Sequence, residues 1–249
     1  MEFKDHFSTQ SDIYIKSRPN YPDELFKFLA SVSPAHNIAW DCATGNGQAA
    51  LSLTNYFKRV IATDASEQQI KNAVPHEKVQ YSVALADNSG IETGTVDMVT
   101  IASALHWMDF DSFYAEVNRV LKPRGVFAAW AYYDSHINTT IDTLVNYLHR
   151  DILGGYWPPE RAHVENHYRD IPFPFKVIET PPFKISIEAT LDFLFGYLHS
   201  WSSTQNYIKM NGKDPVDLIK KELEEAWGDG SKARVITWDL VLKVGEKIA

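Results

Sequence analysis

Between residues 38 and 131 the apolar positions gather into five short runs, separated by stretches whose spacing is helical. The runs are Ile38-Ala39-Trp40, residues 59–63, residues 79–83, residues 96–101 and residues 126–131. Their length and near-continuous hydrophobicity predict strands buried on both faces. Helices are predicted over 48–56, over 66–73 with Ser66 as the cap, and over 110–121, where Lys122-Pro123-Arg124-Gly125 breaks the pattern. Residues 86–95 read as a loop. Alternation of this kind specifies a parallel sheet with helices on both sides, whose site is built from loops at the strand C-termini.

The flanks follow other rules. Pro19 and Pro22 mark a turn, and the helix predicted over 23–31 puts Leu25, Phe26, Phe28 and Leu29 near one face. Beyond residue 131 the βα rhythm is lost. Helices are expected over 137–152, 159–169, 190–201, 204–210 and 215–227, short strands over 173–179 and 183–187, and an edge strand over 234–244. The expected architecture is α/β: a doubly wound (Rossmann-like), seven-stranded, mostly parallel sheet with a helical cap in the C-terminal half. We divide it into an arm and helix covering the site (1–35), a binding core (36–131), and a cap with the last strands (132–249). With no linker separating the last two, they are read as one domain.

Composition narrows the function. At 249 residues with 45% hydrophobic and 13% aromatic content, the chain has ample material for a core. A net charge of −8 argues against nucleic acid or an anionic membrane as the main partner. The single cysteine, Cys42, allows no internal disulfide and fits a reducing compartment. The first residues lack the pattern of a signal peptide, and no apolar run is long enough to span a membrane. A cytoplasmic monomer or homodimer acting on a small molecule is expected.

The candidate chemistry centres on Asp41-Cys42-Ala43-Thr44-Gly45-Asn46-Gly47. A strand ends in a carboxylate, and a small-residue loop with two glycines leads into a helix. Such a loop brings backbone close to a ligand, and the second strand supplies Asp64, placed where open α/β sheets hold ribose hydroxyls. A dinucleotide would set its pyrophosphate beside Asp41 and be repelled. A carboxylate there suits a cation, such as the sulfonium or amino group of S-adenosylmethionine. A nicotinamide-dependent oxidoreductase is the alternative, because Ala50 in the third glycine position is compatible with one.

These residues resemble the first motif of class I S-adenosylmethionine-dependent methyltransferases. Ala86-Asp87, Val96-Asp97-Met98-Val99 and Arg119-Val120-Leu121-Lys122-Pro123-Arg124-Gly125 resemble later motifs of that family. More narrowly, Tyr14 with Arg18-Pro19 and Tyr21-Pro22, His106-Trp107 and Leu198-His199-Ser200-Trp201-Ser202 resemble the trans-aconitate methyltransferase-like group of the type 11 methyltransferase domain. Two positions depart from the pattern: Ala43 and Arg124 stand where glycine is usual.

The resemblance implies a set of cofactor contacts. Asp41, Ala43, Thr44, Gly45, Asn46 and Gly47 would form the cradle. Asp64 and Ala65 would hold the ribose, Leu85 would pack on the base, and Ala86 and Asp87 would meet the adenine edge. Ser103 and Ala104 would lie near the methionine tail. Tyr14 and Arg18 would close over the cofactor and, with His106, form the catalytic set; Trp107, Trp130, Trp157, His199 and Trp201 would surround the acceptor.

The acceptor decides whether a base is needed. A carboxylate is ionised at neutral pH, so methylating it calls for anchors such as Arg18, His106, His199 or Arg161 and no general base. O-methylation of an organic acid is the leading expectation. A phenol or amine acceptor would instead use His106 as base. The His163/His167 pair has the spacing of a helical zinc pair, but Val164 stands where the zincin motif has Glu, and no third ligand is evident. No metal is expected.

Overall fold

The computed structural model describes residues 18–248. Helix α1 (Asp23–Val32) follows Pro22 and carries Asp23 and Glu24 in its first turn, where acids suit the helix dipole. Strands β1 (Ile38–Cys42), β2 (Arg59–Asp64), β3 (Val79–Val83), β4 (Val96–Ala102) and β5 (Leu121–His136) then alternate with α2 (Gln48–Leu53), α3 (Glu67–Lys71) and α4 (Phe110–Val120). The order β3-β2-β1-β4-β5 is parallel throughout. It reverses direction between β1 and β4, and that switch point opens a crevice at the strand C-termini.

Side-chain alternation along β5 explains the two layers. Val126, Ala128 and Trp130 face one side, with Leu25, Phe26 and Leu29 of α1 and Ala49, Ala50 and Leu53 of α2. Phe127, Ala129 and Ala131 face the other, with Phe113, Val117 and Val120 of α4. Fully burying side chains of this size stabilises by about 1.5–3 kcal/mol each. The start of β1 is fastened to β4 by Asp97, which accepts from the N–H groups of Asn37 (2.8 Å) and Ile38 (2.9 Å) and from the Lys122 ammonium (2.6 Å). Burial alone would raise the Asp97 pKa, but these three donors hold it below the usual carboxylate value.

The second half contains α5 (Thr139–Asn146), a π-helical turn over Tyr147–Ile152, α6 (Ala162–Glu165), β6 (Lys176–Val177), β7 (Lys184–Ala189), α7 (Leu191–His199), α8 (Ser202–Asn211), α9 (Lys220–Trp227) and β8 (Arg234–Glu246). The doubly wound α/β architecture stands, with eight strands when the two-residue β6 is included.

Several details differ from the sequence expectations. Residues 234–244 do not form an edge: β8 lies inside the sheet, antiparallel to β5 on one side and to β6 and β7 on the other. Strand β5 runs on to His136, past the predicted end at residue 131. A register shift between Tyr132 and Ser135 carries the β5–β8 ribbon out of the parallel sheet. The helix predicted over 159–169 is a 3-10 turn, Pro159–Arg161, followed by the four-residue α6, and the chain then turns through left-handed His167 and Tyr168. Tyr132, Trp201, Trp227 and Trp238 share a separate cap cluster with Leu148, Leu194 and Leu198.

Candidate functional site

The glycine loop leaves β1 through Ala43, whose φ of 52° is left-handed, and passes Gly45 (φ 56°) and Gly47 (φ 91°) into α2. A Cβ on Gly47 would overlap the Tyr81 hydroxyl, so that glycine is sterically required. Asp64, at the end of β2, braces the loop. One carboxylate oxygen accepts from the Gly45 N–H (2.8 Å), and the other accepts from the Ser66 N–H (2.8 Å) at the start of α3. Thr44 N–H bonds the Thr63 carbonyl at 2.9 Å, closing the cradle from the same side.

Beneath the loop lies Asp41. Only 1% of its surface is exposed, and its carboxylate accepts from the hydroxyls of Thr44 and Thr100. Burial raises its pKa to about 6 despite those hydrogen bonds, and the Asp64 charge pushes the same way. Asp41 therefore shapes the loop and sets its potential from below.

The remaining positions assigned to the cofactor lie at the same edge. Ala65 follows β2, and Leu85, 48% exposed, follows β3 beside half-buried Ala86 and exposed Asp87. Ser103 ends β4 at a left-handed φ of 53°; its N–H bonds the Trp130 carbonyl (2.7 Å), and its hydroxyl meets Tyr21 Oη at 3.2 Å. Ala104 comes next, leading into the turn Leu105–Trp107. Left-handed non-glycine residues are costly, and strands β1 and β4, on either side of the switch point, are each followed directly by one.

A cavity of about 50 Å³ adjoins Ser103 and is lined by Arg18, His106, Trp107, Tyr132, Trp157 and Arg161, among others. Arg18 donates to Tyr132 Oη (2.9 Å) and to the Ser200 carbonyl (3.1 Å), which ties β5 to the cap. Its guanidinium lies 5.3 Å from the Tyr197 ring centroid. Arg161 lies 5.0 Å from the centroid of Trp157, and its buried Nε has no hydrogen-bond partner among the described residues.

His106 shares a 3.0 Å hydrogen bond with Tyr168 Oη and packs against Trp107 at 4.8 Å. Burial, with Arg161 and His163 nearby, lowers the His106 pKa to about 3, so the ring is neutral at physiological pH. That environment removes the driving force for a general base, and it also prevents His106 from serving as a cationic anchor.

Other assigned residues fall elsewhere. Tyr14 lies outside the described residues. Trp130 is not a wall of the cavity: its side chain alternates to the opposite face of β5 and is fully buried against Tyr21 and Phe26. His199 Nε2 meets Asp214 Oδ2 at 2.8 Å and is not among the lining residues. Trp201 backs Trp157 at 5.5 Å without lining the cavity itself. His163 and His167 share no helical face, since α6 stops at Glu165: His163 pairs with Asp170, and His167 stacks on Tyr133.

The set of assigned residues omitted Tyr132, Tyr168 and Ser202 from the cavity surroundings. Tyr132 falls one residue past the predicted end of its strand, and Tyr168 sits in a turn that was predicted as helix. Neither position carried a signal.

The chain matches the methyltransferase domain family over residues 40–129. A Dictyostelium discoideum protein named as a methyltransferase is 32% identical over 230 residues, 91% of this chain and 88% of that one. A solved structure from Anaeromyxobacter dehalogenans, named as a type II methyltransferase, superposes with a TM-score of 0.87 at 40% identity, covering 93% of this chain and 98% of that one. A Saccharomyces cerevisiae protein named as an S-adenosylmethionine-dependent methyltransferase is 30% identical over 135 residues, 49% of this chain and 45% of that one. The chain belongs to the class I S-adenosylmethionine-dependent methyltransferases.

The methyltransferase's own loop suits that cofactor. In a dinucleotide site the loop amides would face pyrophosphate, yet here the Gly45 N–H is already held by the Asp64 carboxylate, with Asp41 below. Two acids at the loop favour a cation and disfavour phosphate. A nicotinamide-dependent oxidoreductase is thereby set aside.

Proposed function

We propose that the methyltransferase acts on a small organic acid and transfers the methyl group to a carboxylate oxygen. One observation carries this reading. The Arg161 guanidinium lies over Trp157 in the cavity beside Ser103, and its buried Nε has no hydrogen-bond partner among the described residues. A buried, unmatched cationic donor is costly unless an anion completes it. Arginine also presents a planar fork that fits a carboxylate in two-point contact. The resemblance to the trans-aconitate methyltransferase-like group agrees with such an acceptor.

S-Adenosylmethionine supplies an activated methyl group when bound. Asp64 would hold its ribose, and the Ala43–Gly47 loop, with Ser103 and Ala104, would hold its methionine portion. The chain's task is then to place an acceptor oxygen in line and exclude water, which can lower the barrier by about 7–11 kcal/mol. Arg161 orients the carboxylate, and Arg18 fixes Tyr132 and the cap over it. An acceptor ionised at neutral pH needs no proton removed, which agrees with a neutral His106 of pKa about 3.

The test is to supply di- and tricarboxylic acids, and matched phenols and amines, with S-adenosylmethionine and to follow S-adenosylhomocysteine. The acids should turn over, and Arg161→Ala should raise their KM about 10- to 100-fold, the worth of a hydrogen bond to a charged group. Turnover confined to phenols or amines would overturn the reading.

A further inference from the structure

Beside the small cavity, and also lined by Trp157 and Arg161, lies a larger open cleft of about 610 Å³. Trp157 and Arg161 border both spaces, so the cavity and the cleft meet at these two side chains. One residue in the cleft wall is anomalous. His149 is only 7% exposed, and among the described residues neither of its ring nitrogens has a hydrogen-bond partner. Glu165 Oε1 is 3.9 Å from its Nε2, beyond hydrogen-bonding reach. The ring packs on Trp157 at 4.7 Å and edge-on to Trp201 at 5.4 Å. The Trp157 indole N–H donates to the His149 carbonyl at 3.0 Å, fixing the backbone as well. His149 also sits in the π-helical turn Tyr147–Ile152, a feature that recurs at functional sites because it re-aims side chains.

Two unpartnered nitrogens on a buried ring cost stability, and the surrounding side chains leave them unmatched. The geometry points to the cleft as a second acceptor subsite, in which the His149 imidazole binds a hydroxyl group on the acceptor's distal end. The acceptor is then a hydroxylated carboxylic acid: its carboxylate meets Arg161 and its hydroxyl meets His149, both beside the Trp157 indole. This inference rests on the organic-acid reading of the inner cavity.

The chemistry of the ring selects the hydroxyl. Burial, together with Arg161, lowers the His149 pKa to about 4, so at neutral pH the imidazole offers one N–H donor and one acceptor nitrogen. A hydroxyl can satisfy either nitrogen, because it both donates and accepts. A second carboxylate would find no cation at His149 and would face Glu165. Arg150, the other cation of the cleft wall, already faces Asp134 at 3.6 Å. Arg161 and His149 both pack on the same indole, which sets the two anchors beside Trp157.

The experiment uses linear ω-hydroxy carboxylic acids and their unsubstituted counterparts of matched chain length. Wild-type protein, His149→Phe and His149→Gln are compared for KM and kcat, with S-adenosylhomocysteine affinity and Tm confirming an intact fold. Wild type should prefer the hydroxy acid by about 10-fold in KM. His149→Phe, which keeps the packing on Trp157, should erase that preference by raising only the hydroxy-acid KM, with kcat little changed. His149→Gln retains a donor and an acceptor and should keep most of the preference. Equal KM values for the two series in wild type, or parallel shifts in His149→Phe, would overturn the second subsite while leaving the organic-acid reading intact. If neither series is methylated, this inference fails; the organic-acid reading fails with it only if the di- and tricarboxylic acids are not methylated either.

Discussion

Thr100 sits directly opposite Asp41 in the β1–β4 register, and its hydroxyl donates to Asp41 Oδ1 at 2.8 Å. A buried carboxylate at the switch point is thus kept ionisable by hydroxyls, with no cation paired to it among the described residues. Its pKa in the folded chain is about 6, against an ordinary value of 3.8. For a raised acid, the folded state binds the extra proton, so stability is full below the ordinary value and falls as pH rises through the folded one. In ligand-free protein Asp41→Asn should therefore raise Tm, and its advantage at pH 8 should exceed that at pH 5 by about 1 kcal/mol. The same variant should bind S-adenosylmethionine more weakly, since the negative potential under the loop is lost. Thermal unfolding at both pH values, with calorimetric titration, checks this; a stability difference independent of pH would contradict it.

Ala43 and Arg124 hold left-handed φ values of 52° and 64°, and these are the two positions where the resembled family has glycine. An L-residue in that region carries about 1–2 kcal/mol of strain, partly offset by glycine's larger entropy loss on folding. Ala43→Gly and Arg124→Gly should each stabilise by about 0.5–1 kcal/mol in urea unfolding. Arg124 lies far from the crevice, and its exposed contact with Glu246 is worth little, so activity should be unchanged there. Destabilisation by either glycine would show that local contacts outweigh the strain.

The parallel half of the molecule was legible because buried strands write continuous apolar runs, and Asp41 and Asp64 close two of them. The glycine loop was legible because Gly45 and Gly47 both hold positive φ, which glycine adopts without strain, and a Cβ on Gly47 would meet the Tyr81 side chain. The cap was harder to read. Strand β8 looked like an edge because it alternates, yet Arg234–Glu246 pairs on both sides, and nothing in its own residues announces two partners. Trp130 and Ala131 differ by one residue, and only sheet register decides which one faces the acceptor cavity. His149 sat inside a predicted helix, where its missing hydrogen bonds leave no trace in the sequence.

Asp97 joins two strands that are distant in sequence, accepting from Asn37, Ile38 and Lys122 while fully buried. Asn at this position would lose the charge that all three donors serve, and it would leave the Lys122 ammonium unmatched. Asp97→Asn should cost about 2–4 kcal/mol of stability without altering the S-adenosylhomocysteine affinity of the folded fraction. Because the Asp97 pKa is depressed in the folded protein, its contribution is present above the ordinary carboxylate value and is lost as pH falls below it. Wild type and variant should therefore converge in acid; a gap that persists unchanged at low pH would exclude the ion pair as its source.

His106 gives the opposite dependence from Asp41. Its pKa falls from 6.5 to about 3 on folding, so the unfolded chain takes up the proton more readily. The neutral ring's contribution is complete above 6.5 and erodes as pH drops toward 3, by about 2 kcal/mol at pH 5. His106→Gln, which can still reach Tyr168 Oη, should flatten that acid limb of the stability profile. The same neutrality bears on turnover. With both substrates saturating, kcat for a carboxylic acceptor should show no inflection near 6.5 between pH 5.5 and 8, because no histidine proton is gained or lost in the cavity. His106→Gln should lower kcat by less than about 10-fold, below the usual 10²–10⁴ loss of a general base. An inflection near 6.5 in wild type that vanishes in His106→Gln would instead make His106 the base, and would return the acceptor to a phenol or amine.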